Sequence, residues 1–169
     1  MKISGWHGGP RNLDGPLRGT CSSEGCGVYL ADTKAFAAHF GYPHRVIASI
    51  RKPLVVDGED MPALDGNLHL GYFRDSARDS EWIRANYYAS ESAELLDVDP
   101  DRDRELYFER LFSRFGPAIN AYLRKRGYDS ILFKLQVDRL PERFSQDPKL
   151  AGKEVQWWVV FDSAKVQLD

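Results

Sequence analysis

The first residues that could do chemistry lie near the start of the chain. His7 ends an apolar stretch and is followed directly by Gly8 and Gly9, and glycines let a ligand approach the backbone closely. Tyr29 and Phe40 stand on either side of a change from strand-like to helix-like spacing. The first pattern suits a ligand bound beside an imidazole. The second raises the question of why two aromatic rings flank one corner.

Each of these residues also has a purely structural interpretation. His7 alone is more simply a hydrogen-bonded histidine at the end of a strand. Tyr29 and Phe40 could both belong to the core, because aromatic residues on a strand and on a neighbouring helix fill most α+β cores. The remaining histidines are scattered polar residues at helix ends and in loops: His39, His44 and His69.

Motifs of common catalytic and phosphate-binding sites are absent from the sequence. It contains no GxGxxG, GxxxxGKS/T, GxSxG or HExxH pattern, and no His, Asp and Glu set at metal-ligand spacing. The usual dinucleotide and phosphate loops are therefore excluded, and no metal site is expected. Cys21 and Cys26 form neither a CxxC redox pair nor half of a zinc site, so we expect two reduced cysteines rather than a disulfide.

The composition is typical of a globular protein with one core. Of 169 residues, 43% are hydrophobic and 28% are charged. Lys and Arg number 23 against 25 Asp and Glu, so there is no overall positive field that would attract nucleic acid or an acidic membrane. The N-terminus lacks the apolar core of a secretory signal, and no apolar run approaches the roughly 20 residues that span a bilayer. We expect a single cytosolic domain over residues 1–169.

The helices and strands that must position these residues are predicted from hydrophobic periodicity and from the Gly and Pro residues that end each segment. Besides the strand that contains Tyr29, strands are predicted over residues 2–7, 44–50, 53–57, 128–135 and 155–162. Helices are predicted over residues 76–96 and 101–126, the second capped by Asp101 or Asp103. Residues 8–26 and 138–152 are predicted loops, and a loop as long as the first is usually functional. The order of elements predicts an α+β protein.

Five segments, taken in order, carry a resemblance to a known family. They are SGWHGG at 4–9, GVYLADTKAFAAHFG at 27–41, PLVVDG at 53–58, RGYDSILFK at 126–134 and WWVVFDSAKVQL at 157–168. Together they resemble the ADP-ribosyltransferase fold, in the His-Tyr-Glu branch that includes diphtheria toxin and the poly-ADP-ribose polymerases. The resemblance implies a split antiparallel β-sandwich with flanking helices and a central NAD cleft. The unmatched, helical part is residues 60–125.

The resemblance gives a role to each residue of the opening pattern. His7 matches the histidine that hydrogen-bonds a ribose hydroxyl of NAD, and Gly8 matches the residue whose backbone holds the nicotinamide carboxamide. Tyr29 and Phe40 match the two rings that clamp nicotinamide. A positively charged ring between aromatic faces gains stacking and cation–π attraction of about 0.5–2 kcal/mol per ring.

The sequence departs from the family pattern at the catalytic carboxylate. Trp157 occupies the usual glutamate position on the last core strand. Glu154 and Gln156 are the candidate catalytic residues, but side chains alternate along a strand, so they reach the pocket only if a β-bulge shifts the phase. Ala37 and Gly9 replace serines that contact the carboxamide in relatives. Each lost contact is worth about 1 kcal/mol, which predicts weaker NAD binding.

The resemblance implies a mono-ADP-ribosyltransferase that moves ADP-ribose from NAD to a macromolecular acceptor and releases nicotinamide. The acceptor is expected to be a protein rather than nucleic acid. Small proteins of this kind are often phage or bacterial toxins or effectors, sometimes with a cognate inhibitor protein. Two alternatives remain open: a degenerate module that binds NAD, ADP-ribose or a protein without chemistry, and an NAD glycohydrolase that uses water as acceptor.

Overall fold

Eight strands form one open, mostly antiparallel sheet. The computed structural model describes residues 1–62 and 70–169. The strands are β1 (Lys2–Gly9), β2 (Thr20–Ser22), β3 (Gly25–Ala31), β4 (Tyr42–Ser49), β5 (Pro53–Asp57), β6 (Ser130–Gln136), β7 (Glu154–Val160) and β8 (Val166–Leu168). Their order across the sheet is β5-β6-β7-β3-β1-β4-β8, and β2 pairs with β3 as a short hairpin. Among the strands of the described residues, β5 and β6 alone run parallel.

Short helices connect the strands and cover one face of the sheet. They are α1 (Lys34–Ala38), α2 (Leu70–Asp75), α3 (Glu81–Ser92), α4 (Arg104–Arg110), α5 (Gly116–Lys125) and α6 (Glu142–Ser145). Side chains of Thr33, Ser80 and Asp103 accept hydrogen bonds from the first turns of α1, α3 and α4. A π-helical turn, Leu111–Phe115, joins α4 to α5. Each helix in residues 1–62 and 70–169 is too short or too polar to span a bilayer.

The sheet is joined through its middle by a single residue pair. Strand β1 pairs with β4 along its whole length, from Lys2 opposite Ser49 to Gly9 opposite Tyr42. By contrast, β1 and β3 share one pair, Trp6 opposite Ala31. Beyond this pair the two strands separate, so His7 and the glycines after it have no ladder partner on β3.

Two apolar clusters lie on opposite faces of β3 and β7. The first packs the sheet against α3 and α5, and it includes Trp82, Ala85, Ile119, Leu123, Ile131, Phe133, Trp157 and Val159. The second contains Val28, Leu30, Val46, Ala48, Val160 and Val166. Neighbours on one strand, such as Val159 and Val160, thus enter different clusters, as the alternation of side chains requires. The second cluster draws on both β3 and β4, which lie on either side of β1.

The α+β class predicted from the sequence is confirmed, but the strands form one sheet rather than two packed sheets. The reason is that β1 pairs with both β3 and β4, so the Trp6–Ala31 pair links the two groups of strands edge to edge. The predicted loops also contain regular structure. Residues 8–26 include β2 and its hairpin turn, and residues 138–152 include α6.

The prediction of two reduced cysteines is wrong. Cys21 and Cys26 form a disulfide across the β2–β3 hairpin, with Cα atoms 4.0 Å apart. The two residues are directly opposite each other in the antiparallel pair, which brings their sulfur atoms together. Spacing rules for CxxC and zinc sites do not detect a bond of this kind, because it depends on a hairpin within a predicted loop.

Removing the disulfide should destabilise the protein modestly. The loop it closes is short, and the loop-closure entropy of the unfolded chain corresponds to about 2 kcal/mol. We expect Cys21→Ser with Cys26→Ser to lower the free energy of unfolding by about that amount in urea titrations. A reductant should lower the wild-type value and leave the double variant unchanged. If the reductant affects neither protein, the bond does not contribute to stability.

Candidate functional site

His7 is held in one orientation by the backbone of β3. Its Nδ1 lies 2.8 Å from the carbonyl oxygen of Tyr29. A carbonyl only accepts hydrogen bonds, so Nδ1 carries the proton, and in the neutral ring Nε2 is left as an acceptor. A Cβ atom on Gly9 would lie 3.3 Å from that Nε2. The glycine therefore keeps the acceptor nitrogen accessible at the point where β1 and β3 separate.

Gly8 lets α1 pack directly on the backbone of β1. A Cβ atom at this position would collide with the carbonyl oxygen of Ala37 and lie 2.9 Å from Cβ of Phe40. Its β4 partner is Pro43, which has no N–H group. Met1 and Ile50 exchange both hydrogen bonds, and pairs alternate along the ladder, so Gly8 and Pro43 form a non-hydrogen-bonded pair. The N–H and C=O of Gly8 therefore point away from β4, toward the side of β3. Close packing here fixes where the aromatic ring of Phe40 emerges beside β1.

The ring of Phe40 is 56% exposed and rests on other aromatic rings. It packs edge-on against Phe36 at 5.5 Å and tilted against Phe144 at 5.9 Å. The guanidinium of Arg143 lies 5.8 Å from its centroid. Phe40 was expected on the helix, but α1 ends at Ala38 and the ring lies in the following turn. Phe40 is therefore a large, exposed apolar surface next to β1.

Tyr29 lies deeper and is tied to the β2–β3 hairpin. Its hydroxyl donates to the carbonyl oxygen of Gly25 at 2.8 Å and is also hydrogen-bonded to the Ser22 hydroxyl. Burial raises the pKa of Tyr29, and the nearby charge of Glu24 raises it further. Among the described residues, the rings in contact with Phe40 do not include Tyr29. Tyr29 instead packs against the first apolar cluster.

Trp157 is a core residue whose indole N–H reaches the hairpin. It is 5% exposed and stacks on Phe133 at 5.0 Å. The ring of Phe36 also packs against Trp157, with the two ring centroids 5.6 Å apart. Nε1 donates to Oε2 of Glu24 at 3.0 Å. The residue that replaces the expected glutamate therefore holds a different carboxylate in place.

Glu24 is the functional candidate that sequence reasoning missed. It lies in the turn between β2 and β3 and is partly buried. Burial raises the pKa of its carboxyl to about 7, although the hydrogen bond from Trp157 lowers it. Within residues 1–62 and 70–169, its Oε1 has no hydrogen-bond partner. The sequence carries no local signal for this pairing, because Glu24 and Trp157 are 133 residues apart.

Glu154 and Gln156 are not brought to this site. Strand β7 keeps an unbroken register with β6, from Val160 opposite Ser130 to Glu154 opposite Gln136. Without a bulge, alternation turns both side chains to the face opposite Trp157. Gln156 donates to Glu154 at 3.1 Å, and the glutamate is exposed. The β-bulge on which their catalytic assignment depended is not present in β7.

Two hollows of the described surface lie elsewhere. One, of about 430 Å³, lies between the hairpin and α5 and is lined by Cys21, Cys26, Asn120 and Arg124. The other, of about 480 Å³, lies over α3 and is lined by three arginines, Arg74, Arg78 and Arg84. Each of these arginines is paired with a neighbouring carboxylate, which reduces its attraction for an anion. Neither hollow is lined by a histidine, although the exposed rings of Tyr87 and Tyr88 line the second.

Comparison of the chain with family models, with curated proteins and with solved structures finds no match in any of the three. The resemblance to ADP-ribosyltransferases therefore depends on the matched motif residues. The local geometry at those residues is the remaining physical ground on which a function can be proposed.

Gly8 is expected to tolerate no side chain. Gly8→Ala should lower the free energy of unfolding by about 1–3 kcal/mol, because the methyl group meets the backbone of α1. Gly71→Ala is the matched control, since a Cβ atom there makes only ordinary contacts near 3.9 Å and α2 gains helix propensity. Thermal and urea unfolding of both variants provide the measurement. Equal stability of the two variants would contradict the close packing of α1 on β1.

Glu24 should make the stability of the protein depend on pH. Its pKa is about 7 in the folded protein against an ordinary value of 4.5, so between these pH values the folded state holds a proton that the unfolded chain has released. The resulting stability is fully present below about pH 4.5 and is lost as the pH rises to about 7.

The variant Glu24→Gln should not lose stability as the pH rises from 4.5 to about 7, because glutamine does not ionise. Relative to wild type, its free energy of unfolding should rise by on the order of 3 kcal/mol between these pH values. Urea unfolding across the range provides the measurement, with Glu105→Gln on exposed α4 as a control that follows wild type. A difference between E24Q and wild type that is constant with pH would show an ordinary carboxyl pKa.

Proposed function

We propose that the chain is a mono-ADP-ribosyltransferase that moves ADP-ribose from NAD to a macromolecular acceptor and releases nicotinamide. The observation that carries this proposal is that His7 and Phe40 lie next to the same short segment of β1, on its two faces. Gly8 packs against Phe40 and Ala37, so an oriented imidazole and an exposed aromatic ring flank the same stretch of backbone. These are the groups that the family resemblance assigns to NAD.

The arrangement of strands supports a central NAD cleft within the one sheet, in place of the two packed sheets of the family pattern. One pair, Trp6 with Ala31, divides the strand order into β5-β6-β7-β3 and β1-β4-β8. Side chains from both groups also meet in the second apolar cluster, which holds the groups together on one face. In this proposal NAD lies where β1 and β3 separate.

The residues around the separation fit the parts of NAD. The free Nε2 of His7 is a hydrogen-bond acceptor, which suits a ribose hydroxyl. The N–H and C=O of Gly8, which point away from β4 toward the side of β3, suit the polar groups of a carboxamide. The exposed face of Phe40 suits the cationic nicotinamide ring, with an attraction of about 0.5–2 kcal/mol.

The two alternatives keep the same site but change the chemistry. Trp157 in place of the family glutamate favours a module that binds NAD or ADP-ribose without reaction. An NAD glycohydrolase would use water instead of a macromolecule. Nicotinamide release without added acceptor supports the hydrolase, and NAD binding without any release supports the module.

The acceptor, expected to be a protein, and any cognate inhibitor protein remain parts of the proposal. Loops around a cleft choose such partners on a constant scaffold. A cytosolic protein is expected from the sequence, whereas the Cys21–Cys26 disulfide is of a kind that persists mainly in oxidising surroundings. A toxin or effector that is delivered into a host cell would pass through such surroundings, which is consistent with both the expectation and the bond.

The proposal is tested with NAD that carries a label on its adenylate, incubated with the protein and a cell lysate. We expect label on a macromolecule and stoichiometric release of nicotinamide. His7→Ala and Phe40→Ala should each weaken NAD binding in calorimetric titrations by about 3- to 30-fold, because each removes a contact worth about 0.5–2 kcal/mol.

The matched control is Phe112→Ala. Phe112 is 42% exposed and stacks on Phe108 in the helical part of the chain, away from His7. This variant should bind and react like wild type. A folded wild-type protein that neither binds NAD nor releases nicotinamide would refute the proposed function.

A further inference from the structure

We infer that Glu24, carried on the β2–β3 hairpin, supplies the catalytic carboxylate that Trp157 displaces from β7. The inference rests on the proposed function and identifies a residue for its chemical step. It is carried by geometry, since the indole N–H of Trp157 lies 3.0 Å from Oε2 of Glu24. A carboxylate from another element thus lies at the tip of the side chain that replaces the strand glutamate.

The hairpin holds Glu24 by several independent restraints. Cys21 and Cys26 close it covalently, and Gly25 takes the positive φ of 117° that its tight turn requires. The amide of Glu24 donates to the Ser22 hydroxyl at 3.0 Å. Asn120 on α5 accepts from the amide of Cys26 at 2.9 Å and donates to its carbonyl. A turn fixed in this way can position a side chain with precision.

Two short chains of contacts join Glu24 to the proposed NAD site. Through rings, Trp157 contacts Phe36 at 5.6 Å and Phe36 contacts Phe40 at 5.5 Å. Through hydrogen bonds, the hydroxyl of Tyr29 reaches Gly25 beside Glu24, and the carbonyl of the same tyrosine accepts from His7. These contacts connect the carboxylate, through packed side chains, to the residues that carry the imidazole and the exposed ring.

A structural role alone does not account for a carboxylate at this position. An indole N–H needs only one neutral acceptor, which a glutamine would provide without the cost of burying a charge. The titratable group facing Glu24 from β3 is Tyr29, while β7 presents the neutral indole and β2 the neutral hydroxyl of Ser22. A carboxyl with a pKa of about 7 is well matched to accept a proton at neutral pH.

The chemical step places Glu24 beside the reacting sugar. The bond between ribose C1′ and the nicotinamide nitrogen breaks, and its electron pair leaves on neutral nicotinamide. A new bond forms from C1′ to a nucleophilic oxygen or nitrogen of the acceptor, whose proton passes to the Glu24 carboxylate and then to solvent. Before that transfer the negative carboxylate faces the oxocarbenium-like sugar and stabilises its developing charge.

The test separates binding from chemistry with Glu24→Gln, which keeps an oxygen for the Trp157 N–H. We expect E24Q to bind NAD within about twofold of wild type and to release nicotinamide on the order of 10²–10⁴-fold more slowly. Glu105→Gln, on exposed α4, is the control that reacts at the wild-type rate. Full activity in E24Q, or loss of activity in Glu154→Gln instead, would overturn the assignment while leaving the proposed function intact.

A second readout does not depend on turnover. The indole N–H resonance of Trp157, identified by its absence in Trp157→Phe, should shift with pH around a midpoint near 7 in wild type and stay constant in E24Q. The rate of wild type should rise with pH up to the same midpoint. Trp157→Phe should move this rate midpoint to higher pH, because the hydrogen bond that is lost stabilises the ionised carboxylate.

A rate that does not follow the ionisation of Glu24 would overturn the inference. Absence of NAD binding in wild type would remove it together with the proposed function.

Discussion

The single pair between β1 and β3 is the constraint on which the candidate site depends. Past Trp6 and Ala31 the strands separate, and backbone groups that a continuous ladder would satisfy need other partners. His7 satisfies the carbonyl of Tyr29 with its ring, which orients the imidazole at no cost to the sheet. On β1 itself, the N–H and C=O of Gly8 point to the side where β3 has separated, because Gly8 and Pro43 form a non-hydrogen-bonded pair. An interrupted ladder thus leaves directed polar groups where a ligand can use them.

The aromatic layer explains how a strand position can lose its carboxylate without leaving the site unsupported. Trp157 stacks on Phe133 and contacts Phe36, so its ring gains the burial and packing energy of a core residue. Its N–H still needs an acceptor, and the hairpin provides Glu24. A glutamate on β7 would have had to enter this apolar layer as a charge. The carboxylate lies instead on a turn at the edge of the layer, where burial raises its pKa from the ordinary 4.5 to about 7.

Sequence patterns predicted the elements with strong local signals. The β-branched runs gave β4 to β7, and Asp103 caps the second helical block as expected. The sequence also singled out His7, Gly8, Tyr29 and Phe40, because glycines next to a histidine and aromatic residues at a change of period are visible within a few positions. The β2–β3 hairpin was missed, since its three-residue strand lies within a Gly- and Ser-rich stretch. Its disulfide and Glu24 were missed for the same reason, because their meaning comes from partners across a hairpin and on β7.

A carboxylate on a hairpin is held differently from one on a central strand. A strand fixes a side chain through two neighbouring ladders, whereas Glu24 depends on a disulfide, on Asn120 and on the N–H of Trp157. The disulfide lies within the hairpin itself, and Asn120 and Trp157 come from α5 and β7, which are distant from it in sequence. His7 and the ring of Phe40 are held instead by the carbonyl of Tyr29 and by the rings of Phe36 and Phe144. The groups proposed for binding and the carboxylate proposed for chemistry are therefore held by different direct contacts.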